Sequence, residues 1–197
     1  MEELKELQQR LEQERPVEWA EFPDLALYMD QVISYMPRQL IQFREGEGLT
    51  SAMVNNYIKD GLLPRAEGKR YHGVHLAYLT AICAMKKVLS VRDVKELLTA
   101  CDPEHDPEAF YNSFRTALDG ALRDTASSLE ETVEEPEVLA GLALNLALRS
   151  YADQLACTRI LDLLREREQP PREENRREEK RREKEEKRRE KEDRREE

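Results

Sequence analysis

The sequence lacks any apolar run long enough to cross a bilayer, because its longest apolar stretch, "VLAGLALNLAL", is interrupted by Asn145. Its first residues, "MEELKELQQRLEQERP", are acidic and polar, unlike the basic flank and apolar core of a signal peptide. Cysteine is rare. The three cysteines, Cys83, Cys101 and Cys157, are odd in number and widely spaced, which predicts reduced thiols instead of disulfides. We therefore expect a soluble, cytoplasmic protein with no membrane partner.

Motifs that carry catalytic chemistry are also missing. The chain has no Gly-rich phosphate loop, no dinucleotide-binding turn and no nucleophile elbow. His72 and His75 are close in sequence, but no Cys or acidic residue accompanies them at metal-ligand spacing. The stretch "CDPEHDPE" places Cys101 near His105, yet its prolines are typical of a linker. We expect no enzymatic activity, no metal site and no cofactor.

Charge is distributed unevenly along this acidic chain. The formal net charge is −10, but residues 50–99 hold eight basic and four acidic side chains, a net charge of +4. Residues 1–49 and 100–171 carry −6 and −9. A local positive field on an acidic body suits a protein that meets phosphate with one face and avoids indiscriminate binding of polyanions elsewhere.

Apolar periodicity predicts an all-α fold with one short exception. A first helix ends before Pro16 and has a narrow leucine stripe with no evident partner, so residues 1–18 are assigned as an N-terminal helical extension. A second helix follows, with a break or kink at Pro37. Thr50 is a suitable N-cap for a third helix, which Gly61 ends as a C-terminal glycine.

The exception is residues 62–71, "LLPRAEGKRY", which we predict to form a short β-hairpin with its turn from Arg65 to Gly68. Helices resume with "HGVHLAYLTAICAMKKVL", and Ser90 with Asp93 predicts a capping box that opens the next helix. The predicted order after Thr50 is therefore helix, hairpin, helix, helix.

The third helix has two distinct faces. On a helical wheel Val54, Tyr57 and Ile58 fall together and face a core, which leaves a small, polar and basic face opposite. Asn can bond adenine bidentately in a major groove, and Lys neutralises phosphate. We predict that this helix reads DNA while the basic hairpin lies beside it as a wing, with contacts from Thr50, Ser51, Ala52, Asn55, Asn56, Lys59, Arg65, Lys69, Arg70 and Tyr71. For Tyr71, an anchor between hairpin and core is an equal alternative.

This arrangement resembles the DNA-binding domain of mercury-resistance-type (MerR-like) regulators. The similarity rests on Tyr57, the Gly-Leu-Leu-Pro run at 61–64, Tyr71 and the segment from Leu89 to Leu98. Residues 19–100 resemble more closely a bacterial family of uncharacterised proteins, domain of unknown function family 1836, itself similar to those regulators. The resemblance implies a winged helix-turn-helix and DNA binding at these residues.

The chain departs from the regulators at two points. It has Ala52, Asn55 and Asn56 where many of them have an Arg and paired aromatics, so phosphate contacts shift to Lys59 and the wing. Cys157 stands alone where metal-sensing members place several cysteines, so the resemblance implies no metal site.

Residues 101–169 are assigned as a helical dimerisation or regulatory region. The segment "EVLAGLALNLALRSY" is apolar nearly all round, and the one short helix before it cannot cover it. A second copy of the chain is the predicted cover, in keeping with the dimeric regulators that the chain resembles, and an intramolecular bundle in a monomer is the alternative. The predicted dimer interface comprises Leu139, Leu142, Leu146, Tyr151 and Leu155.

Residues 170–197 form a charged low-complexity tail with no apolar residue after Pro171. Opposite charges recur at i and i+4, which predicts a solvated helix whose interleaved acids cancel the field of its basic residues.

The sequence as a whole predicts a homodimeric, sequence-specific regulator of transcription that binds double-stranded DNA with a recognition helix and a basic wing. The alternative is an adaptor for protein–protein interaction on the same winged-helix fold without DNA binding. The residues identify neither the operator nor an effector.

Overall fold

The computed structural model describes residues 2–43, 48–129, 135–168 and 181. Over these residues the regular structure consists of α-helices and two short 3-10 helices, Trp19–Glu21 and Met36–Arg38. The α-helices are α1 (Glu2–Gln13), α2 (Met29–Tyr35), α3 (Ser51–Lys59), α4 (Gly73–Met85), α5 (Val91–Cys101), α6 (Pro107–Ser127) and α7 (Pro136–Glu168). The all-α prediction is confirmed for the described residues.

The chain divides into two compact units, Met1–Gln154 and Leu155–Glu197. The boundary falls within α7. Among the described helices, none combines the length and the apolar character that a membrane crossing requires. The predicted charged tail lies outside the described residues, apart from Arg181, which is helical.

The core of the first unit is built around α4 and α6. Helix α6 contacts both α1 and α4, and its Phe110 and Tyr111 belong to the same buried cluster as residues of α3 and α4. The Tyr111 hydroxyl donates a hydrogen bond to the Val17 carbonyl at 2.9 Å. The prediction that α1 has no partner is wrong, because α1 packs on α6 and Arg15 Nε lies 2.5 Å from Asp119 Oδ1.

The predicted helix ends are confirmed where local chemistry determines them. Thr50 Oγ1 accepts from the Met53 amide at 3.3 Å, and Ser90 Oγ accepts from the Asp93 amide at 3.2 Å. Each hydroxyl satisfies an N–H that has no partner within its own helix. Pro37 coincides with the change from α2 to the 3-10 helix Met36–Arg38.

The predicted β-hairpin wing is wrong. In the described part of the chain no strand forms, and the pairing near residues 62–71 consists of two isolated bridges, Leu27 with Tyr71 and Glu67 with Arg70. The first arm of the expected hairpin is not available, because the amides of Leu62 and Leu63 both donate to the Tyr57 carbonyl, at 2.8 and 3.2 Å. Pro64, which follows, has no N–H to contribute to a ladder.

The helix-turn-helix expectation is also unconfirmed. A helix-turn-helix joins its two helices by a turn of about three or four residues. Here Met36–Arg38 and a further connection to Thr50 separate α2 from α3. The fold around α3 is therefore helical, but it is not the winged domain that the sequence predicted.

Candidate nucleic-acid interface

Helix α3 is fixed to the core along one side and open along the other. Val54 and Tyr57 are buried, as predicted, and Ile58 packs against the core. The opposite side is exposed, and it carries Ser51, Ala52, Asn55, Asn56 and Lys59. The sequence therefore separated the two faces of this helix correctly.

Both ends of α3 are held by specific hydrogen bonds. The Thr50 cap fixes the N-terminus. At the C-terminus Gly61 adopts a left-handed conformation with φ of 72°, which glycine allows without a steric penalty. Lys95 Nζ, from α5, donates to the Asp60 carbonyl at 2.7 Å. A cation beside the carbonyl end of a helix also opposes the negative end of its dipole.

The segment after α3 is a basic loop, defined here as residues 64–70. Arg65, Lys69 and Arg70 are exposed in it. Its turn is centred on Gly68 and Lys69, with φ of 56° and 65°, and the Arg70 amide donates to the Glu67 carbonyl at 2.9 Å. The turn thus lies further along the chain than the predicted span from Arg65 to Gly68.

Two side chains from outside the basic loop hold it in place. The Arg70 guanidinium lies over the Tyr28 ring, 4.7 Å from its centroid, and Arg70 Nη2 donates to the Tyr28 hydroxyl at 2.8 Å. His75 Nδ1 accepts from the His72 amide at 3.0 Å, so the neutral ring presents its Nε2–H to the Arg65 carbonyl at 3.4 Å. Burial lowers the pKa of His75, which favours this neutral form.

Tyr71 is buried, with 4% of its surface exposed. Its amide and carbonyl pair with Leu27, both at 2.8 Å, and its ring meets the His75 ring edge-on with centroids 5.4 Å apart. Through these contacts Tyr71 anchors the basic loop to the core. Tyr71 therefore lies apart from the exposed residues that the sequence grouped with it.

Several basic side chains of residues 50–99 make contacts within the protein. Lys95 caps α3, Arg92 pairs with Glu96 at 3.4 Å, and Lys86 lies over the Tyr57 ring, 5.1 Å from its centroid. The exposed cations of α3 and the basic loop are Lys59, Arg65, Lys69 and Arg70. Two acidic residues, Asp60 and Glu67, are exposed among them.

The "CDPEHDPE" stretch and Cys83 both have structural explanations in the fold. Asp102 accepts from the Tyr78 hydroxyl and from the Asp106 amide at 2.7 Å, so the "CDPEHDPE" stretch is a hydrogen-bonded connection between α5 and α6. Burial raises the pKa of the Cys83 thiol to about 11, so that this thiol is protonated at neutral pH. Within the described residues, no group of three metal-ligating side chains comes together.

The predicted dimer residues of α7 fall into two groups. Leu139, Leu142 and Leu146 are partly buried, whereas Tyr151 and Leu155 are exposed. In the first unit the large exposed side chains of α7 include Leu144 at 61%, Leu148 at 56% and Tyr151 at 60%.

Comparison with known families identifies the segment that contains α3. Residues 17–114 match the DUF1836 family. This family, described as a domain of unknown function, is the one that the sequence was expected to resemble, and that resemblance is confirmed over the matched residues. The DUF1836 match extends past residue 100 to include Phe110 and Tyr111, which pack in the same core as α3. The resemblance to MerR-like regulators is not confirmed. No curated protein and no solved structure matches the chain.

Sequence reasoning missed the side chains that position this surface. Tyr28 supports Arg70 across 42 residues of chain, and Lys95 reaches α3 across 35. Such contacts leave no periodic signal. The pair His72 and His75 does have a local signal, because a side chain three residues after His72 can accept from its amide and cap the start of α4.

Proposed function

We propose that this protein is a sequence-specific DNA-binding regulator of transcription that uses α3 to read base edges. The observation that supports this most directly is the outer face of α3, which presents Asn55, Asn56 and Lys59 to solvent from a helix fixed at both ends. Asn has the donor and acceptor that adenine requires in the major groove. The small Ala52 on the same side allows close approach of the backbone.

The basic loop supplies the cations that hold phosphate in this proposal. Phosphate contacts position a protein on DNA, whereas base contacts specify the sequence. Arg70 stacks on Tyr28, which restricts the guanidinium before any phosphate arrives. An ordered cation loses less conformational entropy on binding than a mobile one.

The proposal is tested with the full chain and DNA selected from random genomic fragments. Fluorescence anisotropy on the selected duplex is measured for Asn55→Ala and Lys59→Gln across a salt series. We expect Asn55→Ala to cost about 1–3 kcal/mol on the selected site and to relax its sequence preference. Lys59→Gln should weaken all duplexes alike and make the salt dependence shallower by about one ion.

Arg92→Gln is the matched control, since Arg92 is an exposed cation of α5 that pairs with Glu96. It should leave both affinity and salt slope unchanged. If no duplex binds at low salt, the DNA proposal fails and the adaptor alternative, in which the same surface meets a protein, is favoured.

We also propose that the protein is a homodimer joined through α7. Leu144, Leu148 and Tyr151 are spaced by four and three residues and are all exposed, and Leu155 continues the spacing in the sequence. Alternating steps of three and four are the apolar repeat of a coiled coil. This stripe replaces Leu139, Leu142 and Leu146, which are already partly buried.

Sedimentation velocity tests the dimer, with Leu148→Glu as the disrupting variant. Each buried Leu contributes about 1.5–3 kcal/mol, and a symmetric interface loses two, so the variant should be monomeric. Ser150→Glu adds the same charge at an exposed position off the stripe and should remain dimeric. A wild-type protein that stays monomeric at tens of micromolar would refute the proposal. A symmetric dimer would in turn call for an inverted-repeat site.

A further inference from the structure

Helix α3 presents its outer face in one fixed rotation. On its inner side Val54 and Tyr57 have 0% and 2% of their surface exposed, and close packing around buried side chains prevents the helix from turning about its axis. The outer face includes Ala52, Asn55 and Asn56, which are all exposed. The identity of these side chains therefore determines which chemical groups α3 offers to a partner.

The two asparagines are unfavourable for the helix that carries them. Asn is among the weaker helix formers, because its side chain competes for nearby backbone groups. Asn55 and Asn56 lie within α3, and among the described residues neither side chain makes a hydrogen bond that would compensate. A local preference that is broken without a compensating contact is typical of a functional position. The two amides therefore indicate a partner outside the chain.

The Asn amide matches one base in particular. In the major groove adenine presents the N7 acceptor and the N6 amino donor, and a single Asn side chain can bond both. Guanine presents two acceptors there and is usually bonded by Arg or Lys. Helix α3 contains no Arg, and Lys59 is its last residue. The outer face therefore favours adenine over guanine.

Ala52 adds a preference for the base that pairs with adenine. Thymine carries a methyl group on its major-groove edge, which small apolar side chains such as Ala contact. Ala52 precedes the asparagines by three and four residues, a spacing at which Cβ atoms are about 5–6 Å apart and which recognition helices use to reach bases. Because base pairs are about 3.4 Å apart along the duplex, the three side chains reach pairs within about two steps of one another.

We infer that α3 recognises a cluster of A·T base pairs, in which Asn55 and Asn56 each bond an adenine and Ala52 contacts a thymine methyl group. The inference rests on the proposed DNA binding and specifies the class of sequence that the site accepts. Lys59 and the basic loop contact phosphate, which contributes affinity without sequence preference.

Base analogues test the inference by fluorescence anisotropy with the full chain and the duplex selected from genomic fragments. 7-Deazaadenine, placed at one adenine at a time, keeps Watson–Crick pairing and lacks the N7 acceptor, and 7-deazaguanine makes the same change in guanine. Deoxyuridine, placed at one thymine at a time, lacks the methyl group. We expect 7-deazaadenine at two closely spaced adenines to weaken binding by about two- to tenfold, as the loss of one hydrogen bond implies. Deoxyuridine at a neighbouring thymine should weaken it by about fourfold, as the loss of one methyl contact implies.

Three variants assign these penalties to side chains. Asn55→Ala should remove the penalty at one adenine, Asn56→Ala the penalty at the other, and Ala52→Gly the deoxyuridine penalty. Each penalty is a ratio of two affinities measured on the same variant, so a loss of folded protein cancels in it. Asn112→Ala makes the same change at an exposed position of α6 and is the matched control, which should retain all three penalties.

The outcomes separate this inference from the DNA proposal on which it rests. If no duplex binds at low salt, both fail. If a selected duplex binds but tolerates 7-deazaadenine at every adenine, the inference fails while DNA binding stands. The same holds if the penalties that Asn55→Ala and Asn56→Ala remove fall on 7-deazaguanine, or if an adenine penalty persists in both variants, since another side chain would then read that base.

Discussion

Replacing Tyr57 by Phe should stabilise the protein, although most core substitutions destabilise. Tyr57 belongs to α3 and is buried, and its hydroxyl has no hydrogen-bond partner among the described residues. Phe keeps the ring and its packing and removes only the oxygen. The unfolded chain hydrates that oxygen, so its loss favours the folded state.

The expected magnitude follows from two opposing terms. Removing a buried hydroxyl that lacks a partner recovers about 1–3 kcal/mol. Lys86 lies over the Tyr57 ring, and an interaction of this kind is worth about 0.5–1 kcal/mol at exposed sites, most of which Phe retains. We therefore expect a net gain of about 1 kcal/mol, which corresponds to a rise in Tm of roughly 2–4 °C for a domain of this size.

Urea unfolding of Tyr57→Phe beside Tyr111→Phe is the decisive measurement. Tyr111 is equally buried, but its hydroxyl donates to the Val17 carbonyl at 2.9 Å. The same chemical change should there cost about 0.5–1.5 kcal/mol. A rise in the free energy of unfolding for Tyr57→Phe and a fall for Tyr111→Phe would support the reasoning. A loss in Tyr57→Phe equal to that in Tyr111→Phe would refute the reasoning, because it would show that the Tyr57 hydroxyl is satisfied, for example by water in the cavity of about 220 Å³ that Tyr57 lines.

Three further predictions concern protonation, thiol reactivity and glycine conformation. Burial lowers the pKa of His75 below its ordinary 6.5, so the stability that the neutral ring contributes is complete above pH 6.5 and is lost as the pH falls below that value. Lowering the pH from 7 to 5 should therefore reduce the free energy of unfolding in urea more for the wild type than for His75→Gln. Burial raises the pKa of both Cys101 and Cys83, that of Cys83 to about 11, but only Cys101 of the two is exposed. A thiol reagent at pH 7 should therefore label Cys101 before Cys83, which peptide mass analysis would show, and faster labelling of Cys83 would contradict this. Gly61→Ala should cost about 1–2 kcal/mol in thermal unfolding, because its φ is 72° and the new Cβ would lie 3.2 Å from Lys95 Nζ. Gly120→Ala, within α6 and facing open space, should gain about 0.5–1 kcal/mol.

The sequence predicted α3 well because its determinants are local. Thr50 caps the first turn, Gly61 ends the last, and the spacing of Val54 and Tyr57 identifies the buried face. The following segment was predicted wrongly, although Pro64 and its neighbours do mark a turn. Turn residues show where a chain bends but not which amides remain free, and here the Tyr57 carbonyl takes the amides that a hairpin would need.

The burial of Gln39 could not be predicted from the sequence. Gln39 occurs in "MPRQLIQF", where a polar residue directly after Arg38 suggests a surface position, yet it is buried. Helix α7 shows the same limit. Its first half is apolar nearly all round, so periodicity cannot select the exposed stripe, and Leu144 and Leu148 could be recognised only once Leu142 and Leu146 were seen to be partly covered.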